Sequence, residues 1–263
     1  MIEQNSNIIK DPNIKRIVEY SQDSKQVNVL DSRFYSRNGK YYPSVTSVLN
    51  YFPKNNFFHS WLKDVGHNSD IIMRKAAKEG TQVHEAIEDL LNGKEIEWID
   101  EWGNAKYQID VWKMILKFQD FYTNVNPELI ATEYHLFSDE HEYAGTGDLI
   151  MRINNELWLL DIKTSNSLHT SYNLQLAAYA QAWNETHNEK ITRTGILWLK
   201  ASTRKEAKPG DFQGKGWQIK VVDEIEKNFE MFKKIYDIYQ LENPNFTPYT
   251  EQLPTTVKLK TEE

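Results

Sequence analysis

Residues 147–163 read GDLIMRINNELWLLDIK, two mainly apolar stretches separated by the pair Asn154-Asn155. Asparagine tolerates the positive φ angles that a tight two-residue turn requires. The sequence therefore predicts a β-hairpin whose strands lie at 147–153 and 156–164.

The register of this hairpin decides which side chains meet across it. A two-residue turn makes Ile153 face Glu156, and the same register places Asp148 directly opposite Asp161. Opposed residues on antiparallel strands have Cβ atoms roughly 5 Å apart, so two carboxylates there repel each other. The acid pair therefore indicates a functional site rather than a contact that stabilises the fold.

The second strand of the hairpin is almost entirely apolar, which is typical of a central strand covered on both faces. Because side chains alternate along a strand, Asp161 and Lys163 project from the same face, beside Asp148. Two interpretations remain open. Lys163 forms a salt bridge with the two acids at the end of the sheet, or the acids hold a divalent ion such as Mg²⁺ or Mn²⁺. A metal ion beside a lysine suits the hydrolysis of a phosphodiester.

Apolar periodicity predicts further elements on both sides of this hairpin. A second hairpin at 27–42 turns at Asn38-Gly39. The remaining predicted strands are 128–138, 194–200 and 216–222, and the predicted helices are 44–52, 69–92, 107–123, 171–186 and 223–241.

This order of elements predicts an α/β domain with a mixed sheet that is covered by helices on both faces. We assign residues 26–250 to this single domain. The polar ends at 1–25 and 251–263 are expected to be flexible.

The 263 residues include no cysteine, which excludes disulfides, thiolate-bound zinc, cysteine-ligated iron–sulfur clusters and a cysteine nucleophile. No apolar run reaches the ~18 residues that a membrane-spanning helix needs. These features predict a cytoplasmic, intracellular protein without a membrane partner. The Asn-, Lys- and Ile-rich composition with few prolines suits an AT-rich genome, such as that of a phage.

The charge is distributed unevenly along the chain. The formal net charge is −7 at pH 7, unlike that of a simple DNA-coating protein. Residues 191–220 nevertheless contain seven Lys or Arg and two acidic residues. This segment is either a local anion-binding surface, with Arg204 and Lys205 as candidate substrate contacts, or a solvated loop.

Four motifs follow one another along the chain: GTQVHEAIE at 80–88, GD at 147–148, DIK at 161–163 and QLAAY at 175–179. Together they resemble the motifs of the PD-(D/E)XK nuclease superfamily, in particular its RecB-type exonuclease branch. Gly147 stands where the proline of the family's name would be. Without cysteine, the chain is most similar to members that lack an iron–sulfur cluster, such as the mitochondrial genome maintenance exonucleases and related phage nucleases.

The resemblance implies a restriction-endonuclease-like core with an N-terminal helical elaboration. It implies that Asp148 and Asp161 are the acidic ligands of Mg²⁺ or Mn²⁺, that the carbonyl of Ile162 and the ring of His84 are further ligands, and that Lys163 is the catalytic lysine. Taken without the resemblance, a histidine beside an apolar helix stripe is more typical of a core residue.

Two further pairs are candidates for substrate binding. Gln175 and Tyr179 match a helical motif that contacts DNA or supports the lysine, and their spacing puts both on one helix face. Ser44 and Thr46 resemble a segment that touches phosphates, and a helix N-cap is the alternative interpretation.

Two acids are weaker candidates for the metal site. Glu88 lies one helical turn from His84 and is either a partner of that histidine or a surface acid. Glu133 lies on the strand before Asp148, on a face of mixed polarity.

An aromatic segment precedes the first long helix. Aromatic rings stack on any nucleobase without sequence preference, although such a pattern more often packs in a core. The residues concerned are Tyr51, Phe52, Phe57, Phe58 and Trp61.

We therefore expect a metal-dependent DNA exonuclease that hydrolyses phosphodiester bonds at single-stranded ends. One alternative is a structure- or site-specific endonuclease, and the other is a catalytically silent nucleic-acid-binding subunit. The expected partners are DNA, preferably single-stranded, and a recombination or replication protein.

Overall fold

The computed structural model describes residues 19–20, 26–29, 32–204, 208, 212–244 and 248. Apart from residues 19–20, the ends that were expected to be flexible lie outside this part of the chain, as does Lys205 of the basic segment. None of the helices in the described ranges is long and apolar enough to span a bilayer.

Within these ranges the chain forms ten strands and six α-helices. The strands are β1 (Glu19–Tyr20), β2 (Gln26–Val29), β3 (Ser32–Arg37), β4 (Lys40–Pro43), β5 (Glu128–Ser138), β6 (Tyr143–Ile153), β7 (Glu156–Lys163), β8 (Arg193–Trp198), β9 (Gln213–Gly214) and β10 (Trp217–Val222). The helices are α1 (Val45–Leu49), α2 (Asn56–Val65), α3 (Ser69–Leu91), α4 (Ile109–Val125), α5 (Thr170–Thr186) and α6 (Ile225–Glu242).

Six strands form the main sheet in the order β5-β6-β7-β8-β10-β9. Strands β7 and β8 run parallel, and the other neighbours are antiparallel. Helix α5 supplies the crossover that two parallel strands require. The predicted mixed sheet with helices on both faces is confirmed, and it is consistent with a restriction-endonuclease-like fold.

The predicted central hairpin is present with the predicted register. Asn154 and Asn155 adopt φ angles of 51° and 64°, as the turn requires. The ladder runs from Ile153 opposite Glu156 to Leu149 opposite Leu160. One further step in this register places the two aspartates opposite each other, just beyond the last ladder pair.

Both faces of β7 are buried, as predicted for a central strand. Leu157 and Leu159 pack in the cluster that includes α5 and α6, whereas Trp158, Leu160 and Ile162 pack in the cluster that includes α3 and α4. Burying one such side chain contributes roughly 2 kcal/mol, so the two clusters fix the register of the strand. The acids and the lysine at its end are thereby held on one side.

The small sheet β1-β2-β3-β4 precedes the helices. The predicted turn is confirmed, since Asn38 and Gly39 have φ angles of 53° and 77°. Tyr35 and Tyr42 pack with Phe137 of the main sheet, so this hairpin is attached beside β5 and β6.

Several boundaries differ from the predicted ones. Strand β6 begins at Tyr143 instead of residue 147, and helix α1 ends at Leu49 instead of residue 52. Helix α2 and the 3₁₀ turn Gly66–Asn68 were not predicted at all. Helix α2 fully buries no side chain and Phe57 is 85% exposed, whereas Phe52 packs against the core, so the core interpretation holds for only part of this aromatic segment.

Candidate metal centre

The two aspartates lie where β6 and β7 leave their ladder. The backbone N–H of Ile162 donates a hydrogen bond of 2.7 Å to Asp148 Oδ2, which fixes the orientation of that carboxylate. Lys163 Nζ lies 2.6 Å from Asp161 Oδ2. Of the salt bridge with both acids that the sequence left open as an alternative, the contact with Asp161 is therefore formed. The carbonyl of Ile162 as a metal ligand stays a prediction.

The Asp161 carboxyl is almost fully buried, with 2% of the residue exposed. Apart from the ion pair with Lys163, neither of its oxygens accepts a well-formed hydrogen bond from the described residues. The pKa of Asp161 is raised to about 6, because burial and the charge of Asp148 raise it by more than the Lys163 ammonium lowers it. An incompletely solvated carboxylate of this kind is suited to a cation.

A second group of ligands converges on Asp148. His84 Nδ1 lies 3.6 Å from Glu133 Oε1 and 3.7 Å from Asp148 Oδ2. Ligand atoms of these three residues all lie within 4.8 Å of one another. Burial lowers the pKa of His84, but the negative charges of Asp148 and Glu133 outweigh it and raise that pKa to about 9. The site therefore strongly favours positive charge at this point.

Helix α3 brings His84 to the sheet. Its buried side chains Val83, Ala86 and Ile87 pack on the sheet face opposite α5. At Gly80 an added Cβ would lie 3.2 Å from Thr164 Oγ1, so the helix passes close to the end of β7. The apolar stripe that favoured a core histidine is real, and it serves to hold the imidazole beside the acids.

Glu133 reaches the site through an unusual backbone. Its φ angle is 45°, in the middle of a β-strand. The ladder with β6 is present at Thr132 and at Tyr134 but not at Glu133 itself. A left-handed conformation costs an L-residue roughly 1–2 kcal/mol, so this strain is maintained by the surroundings.

These donors fit a divalent metal ion. Carboxylates from Glu133, Asp148 and Asp161 are ligands that suit Mg²⁺ or Mn²⁺, and the imidazole of His84 adds a nitrogen donor that is more typical of softer divalent ions. The incompletely hydrogen-bonded oxygens of Asp161 give the same indication from an independent observation. Three of these residues, His84, Glu133 and Asp148, have ligand atoms close enough together to hold an ion, and Asp161 lies next to them.

The candidate substrate residues Gln175 and Tyr179 lie beneath the site. Both are buried on α5, and Gln175 Nε2 donates to Tyr179 Oη at 3.3 Å. Burial raises the pKa of Tyr179, and the charges of Asp161 and Asp148 contribute to the rise. This position favours the supporting role over direct contact with DNA.

The remaining candidates for substrate binding are Ser44, Thr46 and Arg204. Ser44 Oγ caps α1 by accepting from Ser47 N at 3.0 Å, and Ser44 is buried, so the capping alternative describes its contacts. Thr46 is hydrogen-bonded to the same serine at 2.9 Å. Arg204 is exposed.

Glu88 lies near the metal donors without joining them. It lines an open cleft of about 420 Å³ together with His84 and Glu133. Burial raises its pKa, and the charge of Glu133 adds to the rise. Because Glu88 interacts with the charge of Glu133, it is not an isolated surface acid.

Tyr172 is a neighbour of the site that the sequence reasoning missed. Lys163 Nζ lies 4.6 Å from the centroid of its ring, a cation–π geometry. The sequence offered one indication of this contact, because Tyr172 lies in the first turn of the helix that follows the strand carrying Lys163.

A family model described as "PD-(D/E)XK nuclease superfamily" matches residues 54–252. A search of curated proteins finds no match. Among solved structures, the chain is similar to one named as a putative exonuclease from Eubacterium rectale, with 14% sequence identity and a TM-score of 0.40. The similarity covers 72% of this chain and 77% of the other.

Proposed function

Because the chain belongs to the PD-(D/E)XK nuclease superfamily, we propose that it is a Mg²⁺- or Mn²⁺-dependent deoxyribonuclease that degrades single-stranded DNA from its ends. The observation that carries this proposal is the meeting of His84, Glu133 and Asp148 beside the Asp161–Lys163 ion pair. A divalent ion with a lysine next to it is what phosphodiester hydrolysis requires.

Each residue of the site has a separate role in the proposed reaction. When bound, the metal ion supplies positive charge that polarises the phosphoryl group and lowers the pKa of water. Asp148 is held ready for it by the Ile162 N–H. Glu133 and His84 complete the donor set from a neighbouring strand and from helix α3.

Lys163 acts as a cation in this scheme. Burial lowers its pKa, but the charges of Asp161 and Asp148 outweigh burial and raise it. The ammonium is therefore protonated at neutral pH. It stabilises the negative charge that develops on the phosphoryl oxygens, rather than accepting a proton from water.

The exonuclease part of the proposal is supported by the resemblance of the four motifs to the RecB-type branch. The basic segment that contains Arg204 offers a contact for phosphates, and we extend the proposal to a recombination or replication protein as the partner that supplies single strands. These steps rest on analogy, and a direct cleavage assay tests them.

The test is digestion of end-labelled, linear single-stranded DNA with Mg²⁺, with Mn²⁺ and with neither. We expect cleavage only with a metal ion, and loss of cleavage in Lys163→Ala. The matched control is Lys234→Ala, which removes an exposed lysine on α6. The order in which labelled products appear gives the polarity.

Two outcomes would favour the alternatives. Cleavage of circular single strands as fast as linear ones would contradict a requirement for ends and favour an endonuclease. Binding without cleavage of single strands, duplexes or RNA would favour a catalytically silent subunit.

A further inference from the structure

A second cleft lies next to the candidate metal centre. It has a volume of about 420 Å³, within the range of roughly 300–1,000 Å³ that small-molecule sites occupy. One wall consists of residues 52–55 and Phe58 together with Met73, and the other is the start of α5 from His169 to Tyr172. None of the roles assigned above uses this cleft.

The cleft shares a wall with the site of the proposed chemistry. Tyr172 lines it, and the ring of Tyr172 carries the Lys163 ammonium 4.6 Å from its centroid. The same ammonium lies 2.6 Å from Asp161. A strand whose phosphate is held at the carboxylates therefore has its neighbouring nucleotide within reach of the cleft.

One wall is aromatic and only partly covered by the fold, since Phe52 packs against the core at one side and Phe58 lies beside Trp61. Phe52 and Phe58 line the cleft, and both are partly exposed. Helix α2, which carries Phe58, buries none of its side chains. An aromatic face left open beside a catalytic site is a surface on which a nucleobase stacks, whatever its identity.

Polar groups from both walls of the cleft suit an anion. Lys54 lines the cleft, is exposed, and forms no ion pair within the described part of the chain. Thr170 and Ser171 line it from the first turn of α5, a helix without a side-chain N-cap. Together, this cation and these hydroxyls complement a phosphate.

We propose that this cleft binds the nucleotide adjacent to the scissile phosphate of a single-stranded substrate, with its base on Phe58 and its phosphate towards Lys54. The inference rests on the proposed nuclease function and names the part of the substrate that the site recognises. A base inside a duplex is stacked between its neighbours and has no free face to offer Phe58. The cleft therefore selects unpaired strands without selecting a sequence.

The binding test uses the fluorescence of 2-aminopurine deoxyriboside 5′-monophosphate in metal-free buffer, because stacking quenches that fluorophore. Phe58→Ala is expected to weaken binding by roughly tenfold or more, and Phe58→Trp to restore it. Lys54→Ala is expected to weaken binding of the monophosphate but not of the nucleoside. The matched control is Phe57→Ala, which removes the neighbouring, 85% exposed ring that does not line the cleft.

Competition identifies what is recognised. Thymidine 5′-monophosphate should displace the probe, and inorganic phosphate should do so much less well. Equal competition by inorganic phosphate, or equal binding by the Phe58→Ala and Phe57→Ala proteins, would overturn the proposal.

Cleavage assays separate this proposal from the proposed function. With single-stranded DNA, Phe58→Ala should raise KM more than it lowers kcat, while the melting temperature stays near that of Phe57→Ala. An active nuclease whose KM is unchanged by Phe58→Ala would overturn the cleft assignment and leave the nuclease function standing. Binding that depends on Phe58 in a protein that cleaves nothing would support the cleft and overturn the nuclease function.

Discussion

Glu133 adopts a φ angle of 45° inside a β-strand, where an L-residue normally has a negative one. Its carboxylate lies 3.6 Å from His84 Nδ1 as a result. Such strain persists where the surroundings impose it, and it is concentrated at functional sites. We attribute the strain at Glu133 to the position that its carboxylate must reach.

This interpretation predicts that the stabilities of the glycine and alanine variants at position 133 follow the reverse of the order expected in a regular strand. Glu133→Gly should be more stable than Glu133→Ala by about 1 kcal/mol, because glycine adopts a positive φ freely. At Lys220, an exposed residue on the regular strand β10, glycine should instead be less stable than alanine by about 0.5–1 kcal/mol. Urea denaturation of the four variants measures both differences. Equal stabilities of the two Glu133 variants would show that the backbone there is not strained.

The sequence predicted Asp148, Asp161 and Lys163 because the hairpin turn fixes their register. It named Glu133 only as a weak candidate, since no local pattern encodes a positive φ at a glutamate in a strand. Tyr172 was missed because its contact with Lys163 depends on how α5 returns across the sheet.

At the scale of elements, the packing of α5 on β6 depends on a glycine. A Cβ at Gly145 would meet the ring of Tyr179 at a distance that real carbon atoms do not show. Tyr179 is buried and hydrogen-bonded to Gln175, so it has little freedom to move. The glycine therefore allows the helix to approach the strand that carries Asp148.

Gly145→Ala should accordingly destabilise the protein by about 2 kcal/mol or more, the usual cost of overpacking a core. The penalty should shrink in a Tyr179→Leu background, because the smaller side chain vacates the space. A double-mutant cycle in urea measures this coupling. Additive effects of the two substitutions would contradict the contact.

Element boundaries show what periodicity can and cannot reveal. The start and end of α3 were predicted to within one residue, although its apolar side chains are buried only around Val83–Ile87, and Ile71 and Ile72 near its start are exposed. Helix α2 was missed although its partly buried residues follow the i, i+3, i+4, i+7 spacing of an amphipathic helix, namely Phe58, Trp61, Leu62 and Val65. Its role is better sought in what its exposed rings bind than in the core.

At the scale of the whole molecule, a chain with a net charge of −7 must attract an anionic substrate. The positive charge has to be local, at the metal ion, Lys54 and the basic segment with Arg204. Binding of single-stranded DNA should therefore weaken as salt rises, although the molecule as a whole is acidic.

We predict that the logarithm of the association constant falls linearly with the logarithm of salt concentration, by about 0.7 for each phosphate contacted. Fluorescence anisotropy with a labelled oligonucleotide in EDTA measures this slope between about 50 and 200 mM NaCl. Arg204→Ala should reduce the slope by roughly one contact, whereas Lys234→Ala should leave it unchanged. A flat response would argue against a surface that tracks phosphates.

The most direct test of the metal centre is the single-turnover rate of DNA cleavage as a function of Mn²⁺ concentration, in the wild type and in His84→Ala. We expect no cleavage in EDTA and a cleavage rate that rises to saturation with Mn²⁺ concentration. The half-saturating Mn²⁺ concentration should be about tenfold or more higher in the variant, because a ligand is lost. Wild-type cleavage that persists in EDTA, or an unchanged Mn²⁺ dependence in His84→Ala, would contradict these expectations.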